Sequence, residues 1–319
     1  MAEWLVEQGI GEERAILAEG DEILAAKLRW PGTLASGQVE DARLVSRVTG
    51  SKRGTARFSS GEEALVSGLP RDANEGAAIR LVVTRAAIAE SGRTKLAHAR
   101  PTDEAPRTAP SLAETLGARI VHRFPLADWD ALLGDVFSRE IAFDGGTLLL
   151  NPTPAMMLID VDGALPPRLL ALAAVPAIGG ALRQFDIGGS VGIDFPTLSA
   201  KDERRAVDSA LEKALDDWPH ERTAMNGFGF VQLVARLEGP SLLQRIAADR
   251  AGAAARLLLR RAEAVEEPGT VRLICHPAVA AKLSDDWLAE LARRTGRTIS
   301  VETDPALALE GGYAQAFPR

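Results

Sequence analysis

The first hundred residues alternate short apolar runs with charged turns. Runs typical of strands occur at 15–17, 44–48, 64–66 and 79–83. Glycines separate the later runs, as turns between short strands require; they are Gly50, Gly54, Gly61, Gly68 and Gly76. The pattern predicts a small barrel of roughly five strands within residues 1–100.

Residues 101–110 contain three prolines and no apolar periodicity, so we predict a linker over 101–118. Beyond it the pattern changes to alternating helices and strands. Apolar side chains recur at helical spacing between Leu126 and Phe137, with Asp128 as the expected N-cap. This alternation predicts an α/β domain at 119–240 and a C-terminal α/β extension at 241–319.

The same pattern predicts the elements of both units. The α/β domain has predicted strands at 146–151, 156–162 and 191–195, a helix at 167–183, and another capped by Ser199. The extension has predicted helices at 241–264 and 277–294 and strands at 271–274 and 298–301. Its second half is a predicted βαβ unit. The tail from 304 has no predicted structure.

Composition narrows the class of protein. The chain of 319 residues is 46% hydrophobic and 25% charged, which is typical of a globular protein. Its N-terminus does not resemble a signal peptide, and no apolar run approaches the roughly 18 residues that span a membrane. One cysteine excludes a disulfide framework and fits a reducing compartment. We therefore expect a cytoplasmic protein. The net charge of −7 argues against a generic nucleic-acid binder but not against a local basic patch.

Aspartates interrupt two predicted strands of the α/β domain. Asp160 and Asp162 stand in Met157-Leu158-Ile159-Asp160-Val161-Asp162-Gly163, and strand alternation places both on one face. Asp194 stands in Val191-Gly192-Ile193-Asp194-Phe195, with Gly192 on the same face. If the strands are neighbours, the carboxylates converge and need a cation, and oxygen ligands favour Mg²⁺ or Mn²⁺. The alternative is that each aspartate marks a strand end in a loop.

The motifs around these aspartates resemble the RNase E/G family of endoribonucleases. The segment from Gly145-Gly146 through Thr153 and Ala155 to Ile159-Asp160-Val161 is similar to the family pattern "GG-(apolar)-E-x-T-E-A-(apolar)-I-D-V-N". Asp186-Ile187-Gly188-Gly189 through Ile193-Asp194-Phe195 is similar to "D-(I/L)-G-G-(apolar)-I-D-F". The resemblance covers about 143–237 closely, and residues 12–100 resemble the family's S1-type RNA-binding barrel more weakly.

The resemblance implies an S1-like barrel followed by an RNase H-like α/β domain. It implies that Asp160 and Asp194 hold a catalytic Mg²⁺, with Mn²⁺ as the alternative. Asp162 replaces a supporting asparagine and is expected to be a third ligand or a hydrogen-bond acceptor beside the metal. Asp186 matches another acidic position near the site. The implied activity is cleavage of single-stranded RNA in processing or decay.

The chain also departs from the family pattern. The thirty or so residues between the barrel and the α/β domain leave no room for the family's 5′-sensor domain, and the sensor arginine of "S-R-F-G-L" is Gly227. The two glutamates of "E-x-T-E" are Asn151 and Pro154. The cysteine-based zinc link between family dimers is missing, which leaves the oligomeric state open.

Basic and aromatic side chains supply the expected RNA contacts. Lys52, Arg53, Arg57 and Phe58 would grip single-stranded RNA by charge and stacking, although Phe58 is equally suited to the barrel core. Arg204 and Arg205 follow the Asp194 strand as expected phosphate contacts. The arginines at 256, 260 and 261 are either a phosphate-binding cluster or a solvated helix face.

Three functions compete on this evidence. The first is a Mg²⁺-dependent endoribonuclease. The second is a catalytically degenerate RNA-binding protein of the same family, since several motif positions are lost. The third is an α/β protein with an unrelated metal function, against which the order of the motifs argues.

Overall fold

The computed structural model describes residues 1–90, 93–126 and 128–317. The first three strands, β1 (Glu3–Gly9), β2 (Glu12–Glu19) and β3 (Glu22–Arg29), form an antiparallel meander. They lie outside the barrel, so the predicted barrel over 1–100 is wrong at its N-terminal end. The physical reason is that Leu5, Ile16 and Leu28 are buried in the same core as the α/β domain.

The barrel is confirmed over the remaining part of the predicted range. Its segment contains β4 (Val39–Arg47), β5 (Arg53–Arg57), β6 (Glu63–Ser67), β7 (Ala78–Arg85), β8 (Ile88–Glu90), β9 (Arg93–Lys95) and β10 (Ala97–Pro101). Five of these strands close in the order β10-β6-β5-β4-β7, while β8 and β9 form a separate ribbon. Leu44, Ala56, Val66 and Leu81 fill the barrel from alternate strand positions.

The predicted linker is ordered by specific contacts. Val39 and Arg107 form a β-bridge, and α1 (Leu112–Leu116) begins with a capping box between Ser111 and Glu114. The strand β11 (Arg119–Val121) then pairs in parallel with β1. The chain therefore returns to its first sheet after the barrel, and residues 119–121 do not open the α/β sheet as predicted.

The α/β domain is built around a six-stranded sheet in the order β12-β13-β14-β15-β17-β16. Its elements are α2 (Trp129–Ser138), β12 (Glu140–Phe143), β13 (Gly146–Pro152), β14 (Met157–Gly163), α3 (Pro167–Gln184), β15 (Gly189–Asp194), α4 (Lys201–Ala214), β16 (His220–Arg222) and β17 (Phe230–Ala235). Helix α3 connects the parallel strands β14 and β15. Asp128 occupies the N-cap of α2 as predicted, although its side chain forms no capping hydrogen bond. The predicted cap of α4 is wrong, because Ala200 and not Ser199 occupies that N-cap.

The two faces of this sheet differ. One face presents buried aliphatic side chains to α3 and the rest of the core; they are Leu148, Leu150, Ile159, Val161, Val191, Ile193, Val231 and Leu233. The alternate positions, which include Leu149, Leu158 and Phe230, are only half-buried. We call this second side the open face, and the alternation of strand side chains places Asp160 and Asp194 on it.

The C-terminal extension packs against the first sheet and the α/β domain. Its elements are α5 (Leu242–Ala248), α6 (Arg250–Glu263), β18 (Thr270–Cys275), α7 (Pro277–Ala280), α8 (Asp285–Thr295), β19 (Ile299–Thr303), a 3₁₀ turn at Leu309–Gly311 and β20 (Tyr313–Phe317). The parallel pair β18 and β19 confirms the predicted βαβ unit, and β20 adds an unpredicted antiparallel strand. Each of the two predicted helices is broken; Asp249 leaves helical geometry and caps α6 through Gly252 N.

Arginines of α6 fasten the first sheet to this extension. The guanidinium of Arg256 lies between the rings of Trp30 and Trp287, at 4.3 and 4.7 Å, and donates to the carbonyl of Gly11. Arg260 donates to the buried carboxylate of Glu7, which also binds Arg14. The arginine cluster is therefore neither a solvated face nor a free phosphate site, because its guanidinium groups already bind carboxylates, carbonyls and aromatic rings of the protein.

Candidate active site

Asp160 and Asp194 are direct partners on the parallel strands β14 and β15. Their pairing places the two side chains side by side on the open face, since in-register neighbours point to the same side of a sheet. Asp160 is half-buried and Asp194 is exposed. The structure thus brings together the two aspartates that the sequence singled out; Asp160 lies within β14, and Asp194 is the last residue of β15.

The two carboxylates lie close together without a positive charge beside them in the described part of the chain. Burial raises the pKa of Asp160, and the neighbouring charges of Asp194 and Asp162 raise it further. Within the described ranges neither Asp160 nor Asp194 forms a salt bridge with a basic side chain. Two close carboxylates without a counter-charge are the donor set that a divalent cation stabilises, so the residues present fit Mg²⁺ or Mn²⁺.

The structure does not support the roles predicted for Asp162 and Asp186. Asp162 Oδ1 accepts a hydrogen bond from the backbone N–H of Gly163 at 2.8 Å. No group of three or more acidic, histidine or cysteine side chains in the described part of the chain could hold a metal, so Asp162 is not placed as a third ligand. Asp186 precedes β15, at the opposite end from Asp194, where it pairs with Lys27 at 2.7 Å. The expectation that Asp186 lies near the site is therefore wrong.

A glycine makes room for apolar side chains beside the pair. A Cβ on Gly192 would collide with the ring of Phe230 and with the sulfur of Met156. Phe230 is the antiparallel partner of Asp194 across β15 and β17. The open face therefore carries two carboxylates within a partly apolar surface, and sequence reasoning had not anticipated this surface.

Two loops border the pair where β15 ends and β17 begins. Arg204 donates to the carbonyls of Leu198 and Ser199, so it fixes the loop after Asp194 and is not free to bind phosphate as predicted. Arg205 is exposed, and Lys201 lies one helical turn before it on α4. Sequence reasoning missed Lys201, although its spacing of four residues from Arg205 was a usable signal.

Comparison with known proteins now bears on this site. The chain is 31% identical over 121 residues to Ribonuclease G of Escherichia coli (strain K12), and equally to Ribonuclease G of Shigella flexneri and of Salmonella typhimurium (strain SL1344). This similarity supports a relationship to the RNase E/G family over part of the chain. The match covers 35% of this chain, and the chain spans about a quarter of the length of these curated relatives, 24%. No family model matches it.

Its departures from the RNase E/G pattern now have positions in the fold. Asn151 pairs with Leu158 and lies on the open face, one step from the Leu149–Asp160 pair. The glutamate of the family pattern would add a further negative charge there, and the amide leaves that part of the face neutral. Gly227 lies in an exposed turn with open space beside its Cα, so no side chain occupies the sensor position.

The barrel exposes only some of the side chains that were predicted to contact RNA. Lys52 and Arg53 are exposed, whereas Arg57 is exposed but pairs with Glu63 at 2.7 Å. Phe58 is 3% exposed and belongs to the barrel core, so the prediction that it stacks on RNA is wrong. It is buried because it continues the inward alternation of Gly54 and Ala56 along β5.

The outer wall of the barrel offers contacts that the sequence did not reveal. Leu65 is exposed and pairs with Thr55 on one side and His98 on the other. Burial and the nearby charges of Arg85 and Arg53 lower the pKa of His98, which shows that basic groups cluster here. This part of the barrel wall is therefore partly apolar and partly basic.

The β8–β9 ribbon reaches from the barrel to the α/β domain. Arg93 donates to the carbonyl of Pro154, in the loop that leads into β14. The β8–β9 ribbon therefore contacts the α/β domain at the loop before the N-terminal end of β14. No helix of the described chain is long and apolar enough to cross a membrane.

Proposed function

We propose that this protein is a Mg²⁺-dependent endoribonuclease that cleaves single-stranded RNA in the cytoplasm, with Mn²⁺ as the alternative metal. The observation that carries the proposal is the in-register pair Asp160 and Asp194 on the open face. The relationship to Ribonuclease G supports RNA as the substrate. The RNA-contacting role assigned to Lys52, Arg53 and Arg205 remains part of the proposal.

The chemistry follows from what these residues can do. Asp160 and Asp194 would hold the metal, which when bound orients a water and neutralises charge that develops on the phosphodiester. The neighbouring charges of Asp194 and Asp162, which help to raise the pKa of Asp160, are the repulsion that a bound cation would offset. The half-buried Leu149, Leu158 and Phe230 add apolar surface on the same face, and the partial burial of Asp160 would strengthen its interaction with a cation.

The substrate would reach this pair from the barrel. Exposed Lys52 and Arg53 would attract the RNA backbone, and the Arg93–Pro154 contact joins the barrel segment to the loop before β14, the strand that carries Asp160. Single-stranded RNA suits this arrangement because the strand must lie flat on a sheet bordered by loops.

The test is cleavage of an end-labelled, AU-rich single-stranded RNA with Mg²⁺, Mn²⁺ or EDTA. We expect internal cleavage that needs the metal and that is abolished by Asp160→Asn or Asp194→Asn, while Asp162→Ala reduces it less. Asp186→Asn is the matched control, because asparagine tolerates the left-handed backbone at this position, φ 52°. It should leave cleavage intact.

Two results would decide against the proposal. Cleavage that survives in both Asp160→Asn and Asp194→Asn would separate the activity from this pair. Tight RNA binding without cleavage under any metal would establish the alternative, a catalytically degenerate RNA-binding protein.

A further inference from the structure

Phe228 stands out among the apolar side chains of the protein. It is 82% exposed, and among the described residues that retain a large exposed apolar side chain only Met1 exceeds it. A scattered exposed side chain is ordinary. Phe228 differs because its backbone is held rigidly and because of where it lies.

The loop that carries Phe228 is fixed by one asparagine and one glycine. Asn226 Oδ1 accepts from the N–H groups of Phe228 and Phe230, at 2.9 and 3.1 Å. Gly229 has φ 92°, and a Cβ there would collide with the carbonyl of Phe195. Such a loop presents the exposed Phe228 ring on an already ordered backbone. A ligand that binds the ring therefore loses little free energy to ordering of the loop.

The same loop borders the aspartate pair. Phe195, which directly follows Asp194, donates its N–H to the carbonyl of Gly229 at 3.2 Å. Thr197 Oγ1 donates to the carbonyl of Phe228 at 3.3 Å and joins the two loops. The loop after Asp194 then leads into α4 with the exposed Lys201 and Arg205. An aromatic ring, two cations and two carboxylates thus lie at one end of the sheet.

We propose that Phe228 stacks on one base of the RNA strand next to the phosphodiester that Asp160 and Asp194 would hold. This inference rests on the proposed function. Base stacking is tolerant of sequence because every base has a π-face, so Phe228 would fix the register of the strand more than its sequence. A base held in place holds its neighbouring phosphate in place, which is the orientation that cleavage requires.

Binding is measured first, so that catalysis does not enter the result. Asp194→Asn is combined with each change at Phe228, and affinity for a fluorescently labelled single-stranded oligoribonucleotide is followed by polarization without divalent metal. We expect Phe228→Ala to weaken binding about tenfold, which corresponds to about 1.4 kcal/mol. Phe228→Trp should restore it and Phe228→Leu should not. Tyr313→Ala removes another exposed aromatic, 45% exposed on β20, and should have no effect.

The stacked base is then located by replacing one nucleotide at a time with an abasic spacer. If Phe228 holds one base, a single spacer position should weaken binding to the Phe228 protein about tenfold (about 1.4 kcal/mol) and should weaken binding to the Phe228→Ala protein no further. The single variant Phe228→Ala, which keeps Asp194, should cleave subsaturating RNA more slowly than the wild type. Its cuts should no longer fall at one defined position in the RNA.

The outcomes separate the inference from the proposed function. If RNA is bound and cleaved but Phe228→Ala changes neither affinity nor cut position, the inference is overturned and the function stands. The inference is also overturned if the effects of the abasic spacer and of Phe228→Ala on affinity are additive. It is overturned as well if Phe228→Ala changes only the oligomeric state in solution, which would place the ring between two copies of the chain. If no form binds or cleaves RNA, the proposed function fails and the inference with it.

Discussion

Replacing Asp194 by asparagine should make the protein more stable in EDTA while removing its response to Mg²⁺. The two effects have opposite signs and a common cause, the closeness of Asp194 to Asp160 on neighbouring strands. In the metal-free protein the charges repel each other, and the variant relieves that repulsion. With metal present, the wild type gains binding free energy that the variant has lost.

The magnitude follows from the geometry. Neighbouring strands lie about 4.8 Å apart, and two unit charges about 5 Å apart repel by about 0.8 kcal/mol in water and about 3 kcal/mol at an effective dielectric constant of 20. Because Asp194 is exposed, the lower end applies, and we expect a gain of about 1 kcal/mol, or about 2 °C in Tm. At ten times the metal Kd the wild type should gain about 1.4 kcal/mol from Mg²⁺.

The dependence on pH provides an internal check. The pKa of Asp160 is raised by burial and then by Asp194 and Asp162, so the folded state binds this proton more tightly than the unfolded state. Stability is therefore lost as the pH rises from the ordinary aspartate range through the raised pKa. The advantage of Asp194→Asn should be full above the raised pKa of Asp160 and should disappear as the pH falls below the ordinary aspartate range, about pH 4.

The assay is thermal unfolding followed by near-ultraviolet circular dichroism at low ionic strength, where screening is weak. Asp144→Asn is the control, since it removes one exposed charge from the turn between β12 and β13 of the same sheet. A Tm of Asp194→Asn in EDTA that equals or falls below that of the wild type would show that the carboxylates do not repel. The reasoning for a shared metal would then fail.

Three further predictions test other parts of the structure. Phe58→Ala should destabilise the barrel by about 3–5 kcal/mol, because it empties a buried aromatic site; unchanged urea unfolding of the barrel would contradict its place in the core. Arg205→Ala should reduce the salt dependence of RNA affinity by about one unit of slope, whereas Arg204→Ala should instead loosen the loop after Asp194, as hydrogen exchange at 195–200 would show. A 5′-monophosphate should accelerate cleavage by less than about tenfold over a 5′-hydroxyl, since Gly227 offers no guanidinium; paired substrates at fixed ionic strength measure this.

The aspartate pair was predictable because two independent signals coincided. Strand alternation predicted the face that Asp160 shares with Asp162. The order of the motifs favoured a strand carrying Asp194 next to the strand that carries Asp160. By contrast, alternation along β1 to β3 shows that these residues form strands but not which sheet they join, because the partner, β11, lies more than a hundred residues away. Local pattern does not encode such a pairing.

Single side chains were harder to assign than strands. Phe58 and Phe228 are the same residue type near charged neighbours, yet one fills the barrel and the other points to solvent. The difference lies in the tight turn at Asn226 and Gly229, which hydrogen bonds define and composition does not. Arg256 likewise had the spacing of a surface arginine, and only the positions of Trp30 and Trp287 show that it is enclosed.

The return of the chain to its first sheet after the barrel constrains the order of folding. The barrel has its own core and mostly short-range pairings, so it can form as soon as residues 39–101 are available. The first thirty residues must wait for β11 and then for Arg256 and Arg260, some 250 positions later, as Arg260 bonds to Glu7 across 253 residues. Contacts of that span slow folding and leave apolar strands exposed meanwhile. A fragment ending before α6 should therefore retain a folded barrel but have a loose, aggregation-prone N-terminus.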